Sequence, residues 1–142
     1  MISQVQIVNK FSKRILKDFP EVTYTHTRDR DSEVYYKFIN DDGLVVGAVS
    51  LEYESFKLSK DGVPLWEIFI SGFEINRKLR GNGYGKEILE WIERNLPIYK
   101  IELCHRTESA DDSASLHFWR HMGFYKPNKG YHTLTKTIKQ IK

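Results

Sequence analysis

The chain has 142 residues, 40 % of them hydrophobic and 13 % aromatic, and 22 basic against 19 acidic side chains leave a net charge of +3. This length suits a single domain over residues 1–142, and the apolar content excludes a disordered or collagen-like chain. One cysteine, Cys104, excludes an internal disulfide framework; no apolar run approaches the ~18 residues of a membrane span; and MISQVQIVNKFSKR lacks the apolar core of a signal peptide, so a soluble, cytoplasmic protein that engages no membrane is expected.

Residues 1–8 alternate imperfectly and predict a short strand. Phe11, Ile15, Leu16 and Phe19 have helical spacing, and Pro20 stops that helix. Residues 34–39 are aromatic and β-branched, Asp41, Asp42 and Gly43 form a turn, and 44–53 are again strand-like, which reads as a β-hairpin. A polar loop over 57–64 leads to 65–75, a nearly continuous apolar run expected of a central strand buried on both faces. A glycine-rich turn follows over 80–86. The helix carried by Ile88, Leu89, Trp91, Ile92 and Leu96 comes next and is stopped by Pro97. Residues 98–104 predict a further strand. Asp111, Asp112 and Ser113 read as a helix N-cap, and Leu116, Phe118, Trp119 and Met122 carry that helix to Gly123. Residues 131–138 predict the last strand. The order β-α-β-β-β-α-β-α-β implies a mixed sheet covered by helices, in the α/β or α+β class.

The glycine turn is the most informative local feature. Gly81, Gly83 and Gly85 stand between a strand and a helix start, where backbone N–H groups face the positive end of a helix dipole and suit a phosphate. Arg80 and Lys86 add charged donors. The turn is not a dinucleotide fingerprint, because Lys86 stands where the third glycine belongs. Nor is it a P-loop, because Arg80 replaces the first glycine and Glu87 the Ser/Thr.

What remains is R-x-x-G-x-G, filled by Arg80, Gly83 and Gly85, which resembles the acyl-CoA pyrophosphate loop of the GNAT superfamily of N-acetyltransferases. The resemblance runs over about residues 34–138 and includes a later helix similar to N-x-x-A-x-x-L-Y-x-x-x-G-F, here with Asp112, Ser115, Phe118, Trp119, Gly123 and Phe124 at the named positions. It implies a mixed, mostly antiparallel sheet splayed between two central strands, with helices on both faces. It also implies acetyl-CoA as co-substrate and no metal. By this resemblance the backbone of Phe73, Glu74 and Ile75 pairs with the pantetheine arm, while Gly81, Asn82, Gly83, Tyr84, Gly85 and Lys86, with the Arg80 side chain, hold the pyrophosphate. Asp112, Ser115 and Trp119 would line the same cofactor. The reaction implied is acetyl transfer to a primary amine by direct attack in a ternary complex.

Such a reaction needs a base. The strand over 65–75 offers Glu67 and Glu74, and a carboxylate in an apolar strand needs a partner or a task. Burial would raise its pKa toward a range useful for taking a proton. Glu67, further from the glycine turn, is the preferred base, and Glu74 is either a second candidate or an ion-pair partner. Trp119 occupies the family's tyrosine position, and an indole N–H cannot supply a proton. Tyr125 or a water would have to take that role, and the alternative is a CoA-binding module with weak or no catalysis. His117 and His121 share a helix face but lack the glutamate of H-E-x-x-H, and a third ligand would have to be Cys104 or His105. Cys104 is expected to be a small buried side chain rather than a nucleophile. Tyr131 and His132 open the last strand and either line the acceptor pocket or pack within the sheet.

The charge is uneven: residues 31–112 carry ten basic and sixteen acidic groups, whereas 113–142 carry six basic groups and no acid. The basic end suits the phosphates of CoA, and Glu67, Glu74 and Glu102 suit a cationic acceptor. Only about 33 residues precede the hairpin, so an open acceptor site is expected, taking a small-molecule or peptide amine. No nucleic-acid partner is expected, and the chain is read as a monomer or homodimer.

Overall fold

The computed structural model describes residues 1–8, 33–104, 110–126 and 133–138. Six strands, β1 (Ile2–Val8), β2 (Glu33–Asn40), β3 (Val45–Leu58), β4 (Pro64–Ile75), β5 (Ile98–Cys104) and β6 (Thr133–Thr137), hydrogen-bond in chain order. The described helices are α1 (Tyr84–Asn95) and α2 (Ala110–His121), with a 3-10 turn over Arg77–Leu79. The sheet is mixed: β1–β2, β2–β3 and β5–β6 are antiparallel, and β4–β5 is parallel. The expected helix carried by Phe11, Ile15, Leu16 and Phe19 lies outside the described residues, as do Tyr131 and His132 at the start of the last strand.

The chain groups into two compact units, residues 1–53 with 71–96 and residues 54–70 with 97–142, and β3 and β4 run through both. In the first unit the β2–β3 turn closes on Asn40, whose side-chain oxygen accepts from the Asp42 and Leu44 amides at 3.0 Å each, while Gly43 takes φ +79°. The alternating Tyr36, Phe38, Val46 and Ala48 are buried. α1 buries Ile88, Leu89 and Ile92 at the i, i+1, i+4 spacing of one helical face. Trp91 meets Tyr36 and Phe38 at ring distances of 5.7 and 5.4 Å. Gly47 allows this approach: a Cβ there would lie 2.5 Å from Ile88 Cδ1 and 3.1 Å from the Glu74 carbonyl.

In the second unit the β4–β5 register runs from Trp66↔Ile98 to Ile70↔Leu103. Ile68, Ile70, Ile98, Ile101, Leu103 and Leu134 form its buried set, with Trp119 and Phe124. α2 ends at Gly123, φ +96°, where the Gly123 and Phe124 amides donate back to the Arg120 and Trp119 carbonyls at 3.0 Å. Such a reversal favours glycine. Phe124 then turns edge-on to Trp119, centroids 5.1 Å apart.

Three expectations need correction. β3 continues to Leu58, because Phe56 and Leu58 keep the two-residue alternation and a short turn on Ser59 and Gly62, φ +76°, replaces the long polar loop. β4 is not buried on both faces: after Leu65, the odd-numbered Glu67, Phe69, Ser71 and Phe73 are only partly covered. Its apolar run therefore reflects alternating Ile68 and Ile70 on one face with large aromatics on the other, rather than a doubly buried strand. α2 starts at Ala110, so residues 111–113 lie in its first turn rather than at its cap.

Candidate functional site

Three short devices shape the glycine turn within the first unit. Asn76 pins the exit of β4 to β3: its amide donates to the Val46 carbonyl at 2.8 Å and its side-chain NH2 to the Val45 carbonyl at 2.9 Å. The same side chain accepts from the Lys78 amide at 3.1 Å and starts the 3-10 turn. Asn82 then donates to the Leu79 carbonyl at 2.8 Å and folds the loop over that turn. Gly81 and Gly83 take φ +85° and +80°, and a Cβ on either would meet nothing within 4 Å. The requirement for glycine is therefore conformational rather than steric.

Gly83 is the N-cap of α1 and makes no side-chain capping bond. The first amides of a twelve-residue helix thus face outward with the positive end of its dipole. The acid of that first turn, Glu87, is engaged elsewhere, accepting from the Ile2 amide at 3.0 and 3.2 Å. Tyr84 receives a 3.3 Å bond from the buried Asn40 side chain. Lys86 is exposed, with Glu90 at 3.9 Å. Arg80, half exposed, donates to Glu74 at 2.7 Å. Phe73, Glu74 and Ile75 are partly covered. This combination of outward amides, a guanidinium and an ammonium can bind a multiply charged phosphate group.

A second cluster lies in the second unit. Glu67 on β4 accepts from the Ser55 hydroxyl at 3.3 Å and pairs with Lys100 at 3.3 Å. Lys100 also holds Glu102 at 2.9 Å. Glu67 is therefore not a lone carboxylate in an apolar strand, as its sequence neighbours imply. The ammonium of Lys100 is held above its ordinary pKa of 10.5, first by its hydrogen bond with Glu102, which burial partly opposes, and then by its charge interaction with Glu102 and its hydrogen bond and charge interaction with Glu67. Lys100 is the functional candidate that sequence reasoning missed. The available signal was its two-residue spacing from Glu102, which puts both on one face of β5. Opposite Glu102 on β6 stands Thr135, whose buried hydroxyl has no hydrogen-bond partner among the described residues.

Trp119 is 6 % exposed and wedged edge-on between Phe118 and Phe124. Asp112 and Ser115 fall on α2, with side chains outside the described set, and His105 lies outside the described residues altogether. Cys104 is exposed at the end of β5, not buried as expected, because the edge of a seven-residue strand leaves its last side chain uncovered. His117 and His121 stack at 6.3 Å, and no group of three metal-ligating side chains occurs among the described residues. Nor is any described helix long and apolar enough to cross a membrane.

Residues 5–124 match the model of the acetyltransferase (GNAT) family. No curated protein sequence matches the chain significantly. Among solved structures, the chain is similar to YhhK of Escherichia coli, a protein provisionally assigned as an N-acetyl transferase and solved bound to coenzyme A, with TM-score 0.65, 19 % identity, and 94 % of this chain and 97 % of that one covered. It is also similar to a Klebsiella pneumoniae protein provisionally assigned as an acyl-CoA N-acyltransferase, with TM-score 0.61, 14 % identity, and 96 % and 97 % covered. AtaT, in its complex with acetyl-methionyl-tRNAfMet, is similar at TM-score 0.53 and 14 % identity over 75 % of this chain and 71 % of that one. At these identities the likeness is one of fold.

Proposed function

The chain belongs to the acetyltransferase (GNAT) family, and from that premise we propose that it moves an acetyl group from acetyl-CoA to a primary amine by direct attack. The observation that carries this reading is the start of α1 behind Gly81 and Gly83, where no side chain caps the first amides and a Cβ on either glycine would meet nothing within 4 Å. The residues suit the co-substrate in kind: amides of 82–86 for the phosphates, Arg80 and Lys86 for their charge, and the partly covered backbone of Phe73, Glu74 and Ile75 for the pantetheine amides. Arg80 must exchange part of its contact with Glu74 for phosphate oxygens, which its five donors allow.

In this reading Glu67 takes the proton from the acceptor ammonium, directly or through water. The freed nitrogen attacks the thioester carbonyl and gives up its second proton to water as the C–S bond breaks, and the thiolate takes a proton from water or from Tyr125, which is 52 % exposed and is reprotonated by solvent. Trp119 serves packing here, since an indole cannot act as the acid. The second reading, a CoA-binding module with weak or no catalysis, is favoured by that same residue. The complex of AtaT adds an amine carried on tRNA to the acceptor classes that deserve trial, beside small and peptide amines.

The test is a mass-spectrometric screen for acetylated products with acetyl-CoA and three acceptor classes: small polyamines, lysyl peptides and aminoacyl-tRNA. The expected result is CoA release that depends on one class. Acetyl-CoA that binds and is turned over by none of them decides for the binding module.

A further inference from the structure

We propose that Lys100 is a positioning residue for the acetyl-transfer reaction, holding the Glu67 carboxylate in place beside Glu102 so that Glu67 can receive the acceptor's proton; this rests on the reading of Glu67 as the base.

The geometry carries the inference. One ammonium lies within 3.3 Å of Glu67 and 2.9 Å of Glu102, and the Glu67↔Lys100 register of the parallel β4–β5 pair sets the first contact through the backbone. Ser55 on β3 donates to the Glu67 oxygen that does not bind Lys100. The carboxylate is thus held from two sides, with lone pairs left over for an incoming N–H. On the neighbouring strand, β6 sets Thr137 opposite Lys100 and Thr135 opposite Glu102. Lys57 of β3 stands over the Tyr99 ring at 4.3 Å. All three charged side chains remain 21 to 31 % exposed, so the pairs are too well solvated to matter much for stability. Their effect is on orientation. Without the ammonium, two like charges share one surface, and their repulsion displaces Glu67 from the place its partners set. The raised pKa of Lys100 agrees with this coupling.

The experiment measures kcat and kcat/KM against pH for the full chain with acetyl-CoA and the acceptor found in the screen. It compares Lys100→Met, Lys100→Arg and Glu67→Gln, with CoA affinity as the folding control. Lys100→Met is expected to lower kcat about tenfold, with the acceptor KM within about twofold and CoA affinity unchanged. Lys100→Arg, which keeps the charge, is expected to restore kcat to within about twofold. If Lys100→Met keeps the parent's kcat while Glu67→Gln is inactive, the positioning role is overturned and the base stands. If Glu67→Gln keeps full turnover, or no amine in the screen is acetylated, the base reading itself falls and the inference with it.

Discussion

Arg80 shows how one side chain can serve two partners. It is held at 2.7 Å by Glu74, and its side chain remains 49 % exposed, so the contact is well solvated and worth no more than about 1 kcal/mol. A doubly charged pyrophosphate beside an outward helix start competes easily with such a pair. Arg80→Glu reverses the charge and sets it against both the phosphates and Glu74. CoA affinity is expected to fall by at least about a hundredfold, measured by calorimetry, with the fold unchanged in circular dichroism. The positive-φ glycine turn at a helix start was legible in the sequence because it depends on adjacent residues. An ion pair was one of two expected fates for Glu74, but its partner Arg80 was not legible, since the distance between β4 and the loop follows from how Asn76 and Asn82 fold the intervening segment.

At the scale of elements, two glycines carry opposite requirements. Gly83 needs φ +80° with open space around it, so Gly83→Ala pays only backbone strain, about 1–2 kcal/mol. It should lower the unfolding midpoint slightly and weaken CoA binding through the displaced amides, which urea titration and calorimetry would separate. Gly47 has ordinary dihedrals but no room. Gly47→Ala drives a methyl into Ile88, which is fully buried, and is expected to destabilise by about 1–3 kcal/mol in urea unfolding. An Ile88→Val change in the same chain should recover part of that loss. The first glycine announces itself by its neighbours Gly81 and Gly85. The second is invisible in sequence, because its constraint comes from a helix that begins 37 positions later at Tyr84.

At the scale of the whole molecule, the net charge of +3 conceals local balances that respond to pH differently. Lys100 has its folded pKa above the ordinary 10.5, so its contribution is fully present below pH 10.5 and is lost as the pH rises through the higher folded value. In thermal unfolding the parent is therefore expected to lose slightly more stability than Lys100→Met as the pH rises above 10.5, with the two profiles parallel near neutrality. An unchanged difference across that range would show that the ammonium is not coupled to Glu67 and Glu102 in the folded chain. The balance of sixteen acids against ten bases over 31–112 suggested a cationic acceptor. Part of that acidity is in fact already met by Lys100 and Arg80, so the acid count overstates what remains for a ligand.

The sequence by itself determined what depends on near neighbours: the order of strands and helices among the described residues, the positive-φ turn at Gly81 and Gly83, the Gly123 stop of α2, and through the glycine turn the family. Each follows from periodicity or from backbone conformations that one residue type adopts readily. Only the tertiary structure decided which charges meet. The strands carrying Glu67 and Lys100 are separated by the whole of α1, and their pairing is a matter of parallel register. Likewise the partly open face of β4, the buried Trp119 and the exposed Cys104 follow from what packs or pairs beside them, which no local pattern in the chain encodes.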